Sequence, residues 1–411
     1  MEYSWKRNLF VLWTGVFFCS TAYSISIPFI PIFLSTELGI NNHLEMWSGF
    51  AFGITFLASA LIAPYWGSLA DKYGRKPMLM RSGFSLAGLY VLTYFIHDPY
   101  LFLLLRVFQG LLAGYVPAAI ALVGTNTPEE KTGYALGIMA TASATGGILG
   151  PLVGGVASHY FGNRESFLLS GAVVLIAAII ATLFAKETNY NRSGARSSVR
   201  DDLKHAMENN VFMGTLLMLG ITTFSVMLLE PLLTVYMLQL GVKQGDASLT
   251  SGVVFSAVGI ATLIAAPQWG KIGAKIGYSK VLFIGLIGGG IGNLLQFFVT
   301  HYAQFGVLRF VYGLFFAGVY PALNATIVKV TEPAFRGRAF GLGQSANQMA
   351  TMLGPMIGGV LGGWIPIKWV FIINGAMLLG AAVLIHRRPG DTPAVGALRA
   401  GNGAAAVSKK G

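Results

Sequence analysis

Glu230 is the residue of this sequence whose setting packing alone explains worst. The chain has 16 Asp and Glu, and every other one falls in a polar segment, at the end of an apolar run or in a terminal stretch. Glu230 lies deep inside an apolar run, immediately before Pro231. A carboxylate taken out of water is costly, so an acid there carries a proton, pairs with a cationic ligand, or sits neutral and bonded to a neighbour. Arg106 and Arg309 are the cations read as lying within apolar runs. A guanidinium in hydrocarbon needs a partner or a wet cavity; for Arg106 a tie to backbone carbonyls or to Gln109 is the structural alternative, and snorkelling to the membrane surface is another. Gln344, Asn347, Gln348 and Thr351 recur at spacings of three and four, which places them on one helix face. Asn324, Asn293 and Gln296 add further amides. Such groups either line a wet cavity or tie helices together. Tyr23, Met227, Tyr236 and Phe255 are candidates for an adaptable apolar wall around a ligand, or for plain packing.

These groups need elements to hold them. The chain has 411 residues, of which 54% are hydrophobic and 11% charged. A soluble domain carries about 25% charged residues. Apolar runs long enough to cross a bilayer recur throughout, roughly at 9–35, 46–69, 78–97, 100–124, 132–157, 165–186, 211–239, 248–270, 280–299, 303–328, 338–363 and 367–386. They do not alternate as barrel strands would, so twelve membrane helices are expected, an all-α membrane fold. The first run follows Trp5-Lys6-Arg7 without a small-residue cleavage site and is expected to be the first span.

Three of the 28 Lys and Arg (Arg164, Lys243, Lys368) fall in loops on one side; apart from Arg106 and Arg309, the rest fall on the other. The positive-inside rule then puts both termini in the cytoplasm of a cell-membrane protein. The net charge of +12 is accounted for by this topology and by affinity for anionic lipid heads, and no stacking aromatics interleave the charges as a nucleic-acid groove requires. Cys19 is the single cysteine, so no intrachain disulfide is possible. No cofactor or metal is expected, no nucleotide-binding loop or hydrolytic triad is present, and the chain is read as a monomer rather than an enzyme or receptor.

The sequence repeats itself. Ala63-Pro64-Tyr65-Trp66-Gly67 returns as Ala266-Pro267-Gln268-Trp269-Gly270, and Arg106 and Gly110 return as Arg309 and Gly313. Pro28 matches Pro231, Pro117 matches Pro321, and Gly150-Pro151-Leu152-Val153-Gly154-Gly155 matches Gly354-Pro355-Met356-Ile357-Gly358-Gly359, all at an offset of 203 or 204. Two six-helix bundles at 1–186 and 211–388 are expected, joined by a cytoplasmic linker at 187–210 and followed by a disordered tail at 389–411. Parallel repeats with a ligand site between them form the secondary-transporter plan.

Two further segments carry a family resemblance. One is Gly67-Ser68-Leu69-Ala70-Asp71-Lys72-Tyr73-Gly74-Arg75-Lys76 between spans two and three; the other is Gly146-Gly147-Ile148-Leu149-Gly150-Pro151-Leu152-Val153-Gly154-Gly155 in span five. With Arg106-Val107-Phe108-Gln109-Gly110 and Pro28-Phe29-Ile30-Pro31, the chain resembles the major facilitator superfamily, and within it the twelve-helix drug:proton antiporters, over about residues 5–388. The resemblance implies export of lipophilic small molecules in exchange for protons. It implies a latch at Asp71 and Arg75 with turns at Gly67 and Gly74, and a role for Arg106 in proton coupling. Gly146, Gly150 and Gly154, spaced by four, share a helix face beside the kink at Pro151, which suits tight packing in one state and a pivot in another. Static packing is the alternative. Export of a defined sugar or amino acid is the rival activity, favoured by a dense polar cavity lining. The halves are not equivalent: Asp71 faces Ala274 in the alignment of the repeats, and Glu230 faces Ile27.

Overall fold

The computed structural model describes residues 5–187, 204, 206–332 and 335–386, apart from the side chains of Asp71, Glu129 and Arg336. The expected tail and most of the expected linker lie outside the described residues. The first bundle comprises α1 (Trp5–Ile25), α2 (Ile30–Thr36), α3 (Leu44–Tyr73), α4 (Arg75–Tyr94), α5 (Pro99–Leu112), α6 (Tyr115–Asn126), α7 (Glu129–Phe161) and α8 (Asn163–Phe184). The second comprises α9 (Asn210–Gln239), α10 (Gln244–Ile276), α11 (Tyr278–Gln296), α12 (Tyr302–Phe316), α13 (Val319–Val330), α14 (Arg336–Trp364) and α15 (Ile367–His386).

Twelve spans result, but three are not the continuous helices the sequence suggests. Span one breaks into α1 and α2, span four into α5 and α6, and span ten into α12 and α13. Proline is the cause in each case. Pro117 has no N–H to offer the carbonyl four residues back, that of Ala113, and Gly114 turns the chain at φ 133°. In lipid a freed carbonyl has no water to bond and must find a protein donor. Ala113 O accepts from Nη2 of Arg81 at 3.2 Å. Leu111 O, next to the same break, accepts from Nε1 of Trp66 at 2.7 Å. The second bundle repeats the device before Pro321, where Leu314 O accepts from Nε1 of Trp269 at 2.7 Å. Each Trp of the repeated Ala-Pro-x-Trp-Gly segment is thus the donor for a helix broken 45 residues later.

Ten spans are apolar enough to cross a membrane by length and composition alone, counting α5 with α6 and α12 with α13 as one each. The two that fall short are α4, which carries Arg75, Lys76 and Arg81, and α14, which carries the Gln344–Gln348 stripe. Each has one face packed on other spans and another exposed: α4 packs on α8 and α6, and α14 on α9 and α3.

The bundles meet along two seams related by the repeat, α3 with α14 and α7 with α10. Both seams are closed by glycine. A β-carbon on Gly49 would lie 2.7 Å from the Cα of Gly359, and one on Gly252 would lie 3.1 Å from the Cα of Gly155. Gly49 and Gly252 are equivalent in the repeat, as are Gly155 and Gly359. These contacts gather at the ends of the helices remote from Trp5 and His386. At the other ends Gly67, Gly133, Gly137, Gly270 and Gly341 face open space. The two bundles are closed on one face of the molecule and parted on the other.

Replacing Trp269 by Phe leaves Leu314 O unmet, and a loss of about 1–3 kcal/mol is expected. Trp66→Phe should cost more, because Arg81 also stacks on the Trp66 ring at 3.5 Å. Thermal unfolding of the purified protein in detergent checks both, and an unchanged midpoint for either refutes the bracing role.

Candidate functional site

Between the bundles, on the parted side of the seams, lies a cavity of about 420 Å³. The first bundle supplies Ser20, Tyr23, Ser24, Thr55, Ser59, Gln109 and Ser143, and the second supplies Gln344 and Gln348 from α14. Tyr23 stands edge-on to Phe56, another wall residue, with ring centroids 5.9 Å apart. The span-eleven stripe therefore divides. Gln344 and Gln348 turn toward the first bundle, while Asn347 turns toward α9, where its Oδ1 accepts from Thr223 at 2.6 Å. Thr223 also lies 3.3 Å from the Tyr320 hydroxyl of α13.

Thr223 and Glu230 are seven residues apart on α9 and share a face. Glu230 is half-buried and, among the described residues, makes no hydrogen bond or ion pair. Arg309, Tyr23 and Tyr320 lie within Coulombic range of its carboxyl, so it addresses both bundles. Arg309 is buried, and its Nε meets no partner. On the other bundle Arg106 is 3% exposed. Its Nη1 donates to Gln109 Oε1 at 3.0 Å, while Nε and Nη2 meet no partner. Phe102 offers its ring face at 5.0 Å. Snorkelling is thereby excluded for Arg106: it lies behind Gln109, beneath the cavity wall.

Several sequence candidates stand elsewhere. Tyr236 is a core residue: its hydroxyl donates to Gln296 O at 3.2 Å and its ring packs on Phe305 and Phe371. An aromatic deep in a span satisfies packing as readily as ligand contact, and the sequence pattern does not separate the two. Asn293 and Gln296 are fully buried on α11 and bonded to each other along that helix, away from the cavity wall. Met227 packs against Gly354, and Phe255 joins the apolar clusters between the bundles. Asn324 is exposed one turn beyond Tyr320 on the same face of α13.

The glycine face of span five serves the first bundle. Added β-carbons on Gly146 and Gly150 would meet Phe17 O and Thr21 O at 2.7 Å, and one on Gly154 would meet Ile25 O, all on α1. The neighbouring positions Ile148, Pro151 and Gly155 are the ones that touch the second bundle. At the start of α4, Gly74 turns the chain at φ 99°. The amides of Arg75 and Lys76 donate to the two carboxylate oxygens of Glu187 at 2.8 and 2.9 Å. The Arg75 guanidinium donates to Ala121 O and, at 3.0 Å, to Thr125 Oγ1. Arg75 is thus engaged within its own bundle; the side chain of Asp71 lies outside the described residues. No local sequence signal marks Glu187, whereas Arg81 is a cation at the start of an apolar run and Trp66 recurs at the repeat offset.

Paired six-span bundles thus meet in glycine seams beside a cavity whose mostly apolar wall carries hydroxyls and amides. The model of the Major Facilitator Superfamily matches residues 12–262 and 245–409. The chain belongs to the major facilitator superfamily. It is a multi-pass membrane protein and a secondary active transporter. It is 38% identical to the multidrug resistance protein MdtG of Proteus mirabilis, over 85% of this chain and 88% of that one. It is 34% identical to the MdtG protein of Escherichia fergusonii, over 92% and 93%. Among solved structures, a D-xylose-proton symporter superposes with a TM-score of 0.76 at 15% identity, covering 93% of this chain and 98% of that one. That likeness speaks for the superfamily fold.

The seams offer a direct handle on the transporter's closed face. A β-carbon on Gly362 would sit 3.4 Å from that of Glu45, close to the spacing of a disulfide. Cysteines at positions 45 and 362 should cross-link on mild oxidation, stop transport, and release it on reduction. Cross-linking without loss of transport would show that the two faces do not have to part.

Proposed function

We propose that this transporter exports lipophilic small molecules in exchange for protons by alternating access, with Glu230 as the proton-carrying group. The observation that carries this reading is the setting of Glu230: an unbonded carboxyl inside a span, in Coulombic range of the buried Arg309 of its own bundle and of Tyr23 on the other. A carboxyl so placed gains or loses a proton at a cost set by the charges around it, and a change in those charges as the bundles move couples two fluxes. Arg106, behind Gln109, is the matching group of the first bundle. The names of the relatives support drugs as the cargo.

With both termini in the cytoplasm, as the Lys and Arg distribution indicates, the parted face opens inward and the glycine seams close the outside. Substrate then enters Tyr23, Gln344 and Gln348 from the cytoplasm or inner leaflet, and the monomer rocks about the seams. Arg75, with Asp71, belongs to the latch that holds the opposite, outward-open state.

A second reading has its own support. Eight hydroxyls and three amides on the cavity wall suit a polar metabolite with several hydrogen-bonding groups. Uptake of lipophilic dyes into inverted vesicles, competed by sugars and amino acids, separates the two.

Glu230→Gln keeps the shape and removes the proton site. Its uptake of dye into inverted vesicles driven by an imposed proton gradient should fall by at least about tenfold, while binding of dye to the purified protein persists. Wild-type coupling in this variant would refute the assignment.

A further inference from the structure

The two seams that close the outer face are built differently. The α3–α14 seam packs glycines against backbone and against the side chains of Met46 and Met356. The α7–α10 seam carries in addition a set of side-chain hydrogen bonds that converge on one residue, Asn163 at the start of α8. Ser158 on α7 and Ser248 on α10, both buried, stand 2.8 Å apart across the seam. Both hydroxyls donate to Oδ1 of Asn163, Ser248 at 3.3 Å and Ser158 more closely. The Asn163 Nδ2 donates to Thr36 Oγ1 at the end of α2, 3.3 Å away, and the Thr36 hydroxyl is itself spent on Ile32 O. One carboxamide thus serves three elements and two bundles, using its acceptor twice and its donor once. Beside it, His159 Nδ1 is 3.0 Å from Gly245 O. Through the repeat, Ser158 answers to Gly362, Asn163 to Ile367 and Ser248 to Glu45, so the partner seam has no counterpart of this set.

We propose that Asn163 is a positioning residue for transport: it latches the outer face shut through the α7–α10 seam, leaving the α3–α14 seam to close by packing alone. The chemistry suits a latch that must open on each cycle. Hydroxyls and a carboxamide at the outer end of a span are met by water when the seam parts, so each bond holds the closed state by only a modest margin. The geometry is directional, so the latch also sets the register in which the bundles close. The proposal rests on the alternating-access reading above, but not on the cargo, the coupling ion or Glu230.

Spin labels at the exposed outer positions His97 and His301, in a chain carrying Cys19→Ser, report the separation of the bundles by pulsed electron resonance. Asn163→Ala should raise the population with a parted outer face about fivefold, the effect of one net hydrogen bond. Ser248→Ala, on the opposite bundle, should move it in the same direction. The double variant should do no more than the larger single one, since both remove the same contact. Asn163→Gln, which keeps donor and acceptor, should recover part of the closed population. A wild-type distance distribution in Asn163→Ala, or fully additive effects in the double variant, overturns the proposal whatever the result for Glu230. Should Asn163→Ala fail to fold, Ser248→Ala decides alone, and an unchanged distribution there overturns it.

Discussion

A backbone carbonyl inside a bilayer has no water to fall back on. Much of this structure is arranged around that constraint. Spans one, four and ten are broken, and two of them, one and four, line the cavity. Every break releases acceptors. The protein meets them with side chains from elsewhere in the same bundle: Trp66 and Arg81 in the first, Trp269 in the second. Arg81 shows the economy of the solution, for one guanidinium caps a freed carbonyl and covers the ring of the residue that caps the next. These three donors stay within their own bundles, whereas the span-one break is met across the divide, where Thr234 Oγ1 donates to Pro28 O at 2.9 Å.

The second constraint is the opposite one. Where the bundles touch, they must also be able to part. Glycine permits this, since a seam of backbone against backbone buries little side-chain volume and leaves no side-chain cavity on opening. The rigid contacts run within the bundles, as between the span-five glycines and α1, and the separable ones run between them. Polar bonds across the divide collect in the α7–α10 seam, with a further one from Thr234 Oγ1 to Pro28 O.

The buried charges follow the same division. Arg106 and Arg309 occupy equivalent positions, and each is shielded by aromatic rings of its own bundle. Only the second bundle adds an acid. The repeat therefore supplies two nearly matched cationic centres, and Glu230 breaks the match on the side where Tyr320, Thr223 and Asn347 gather. A transporter that moves two species in opposite directions needs such a difference between its halves.

Composition, run length and the 203-residue repeat were sufficient to determine a twelve-span, two-bundle membrane protein, because hydrocarbon admits few alternatives to a helix and a duplicated sequence folds twice. The solitary acid was legible for the same reason: a carboxyl inside an apolar run is costly wherever that run packs. Tertiary structure alone decided which polar groups share the cavity. Helical spacing put Gln344, Asn347 and Gln348 on one face, yet that face spans the boundary between bundles and splits among different neighbours. Tyr236 and Tyr23 looked alike in sequence, but one is core and the other cavity wall, because the rotation of a helix about its axis is set by packing and not by composition. The parted and closed faces, the engagement of Arg75 with α6, and the convergence on Asn163 involve residues far apart in the chain. Their meeting depends on how the bundles dock, which no local pattern encodes.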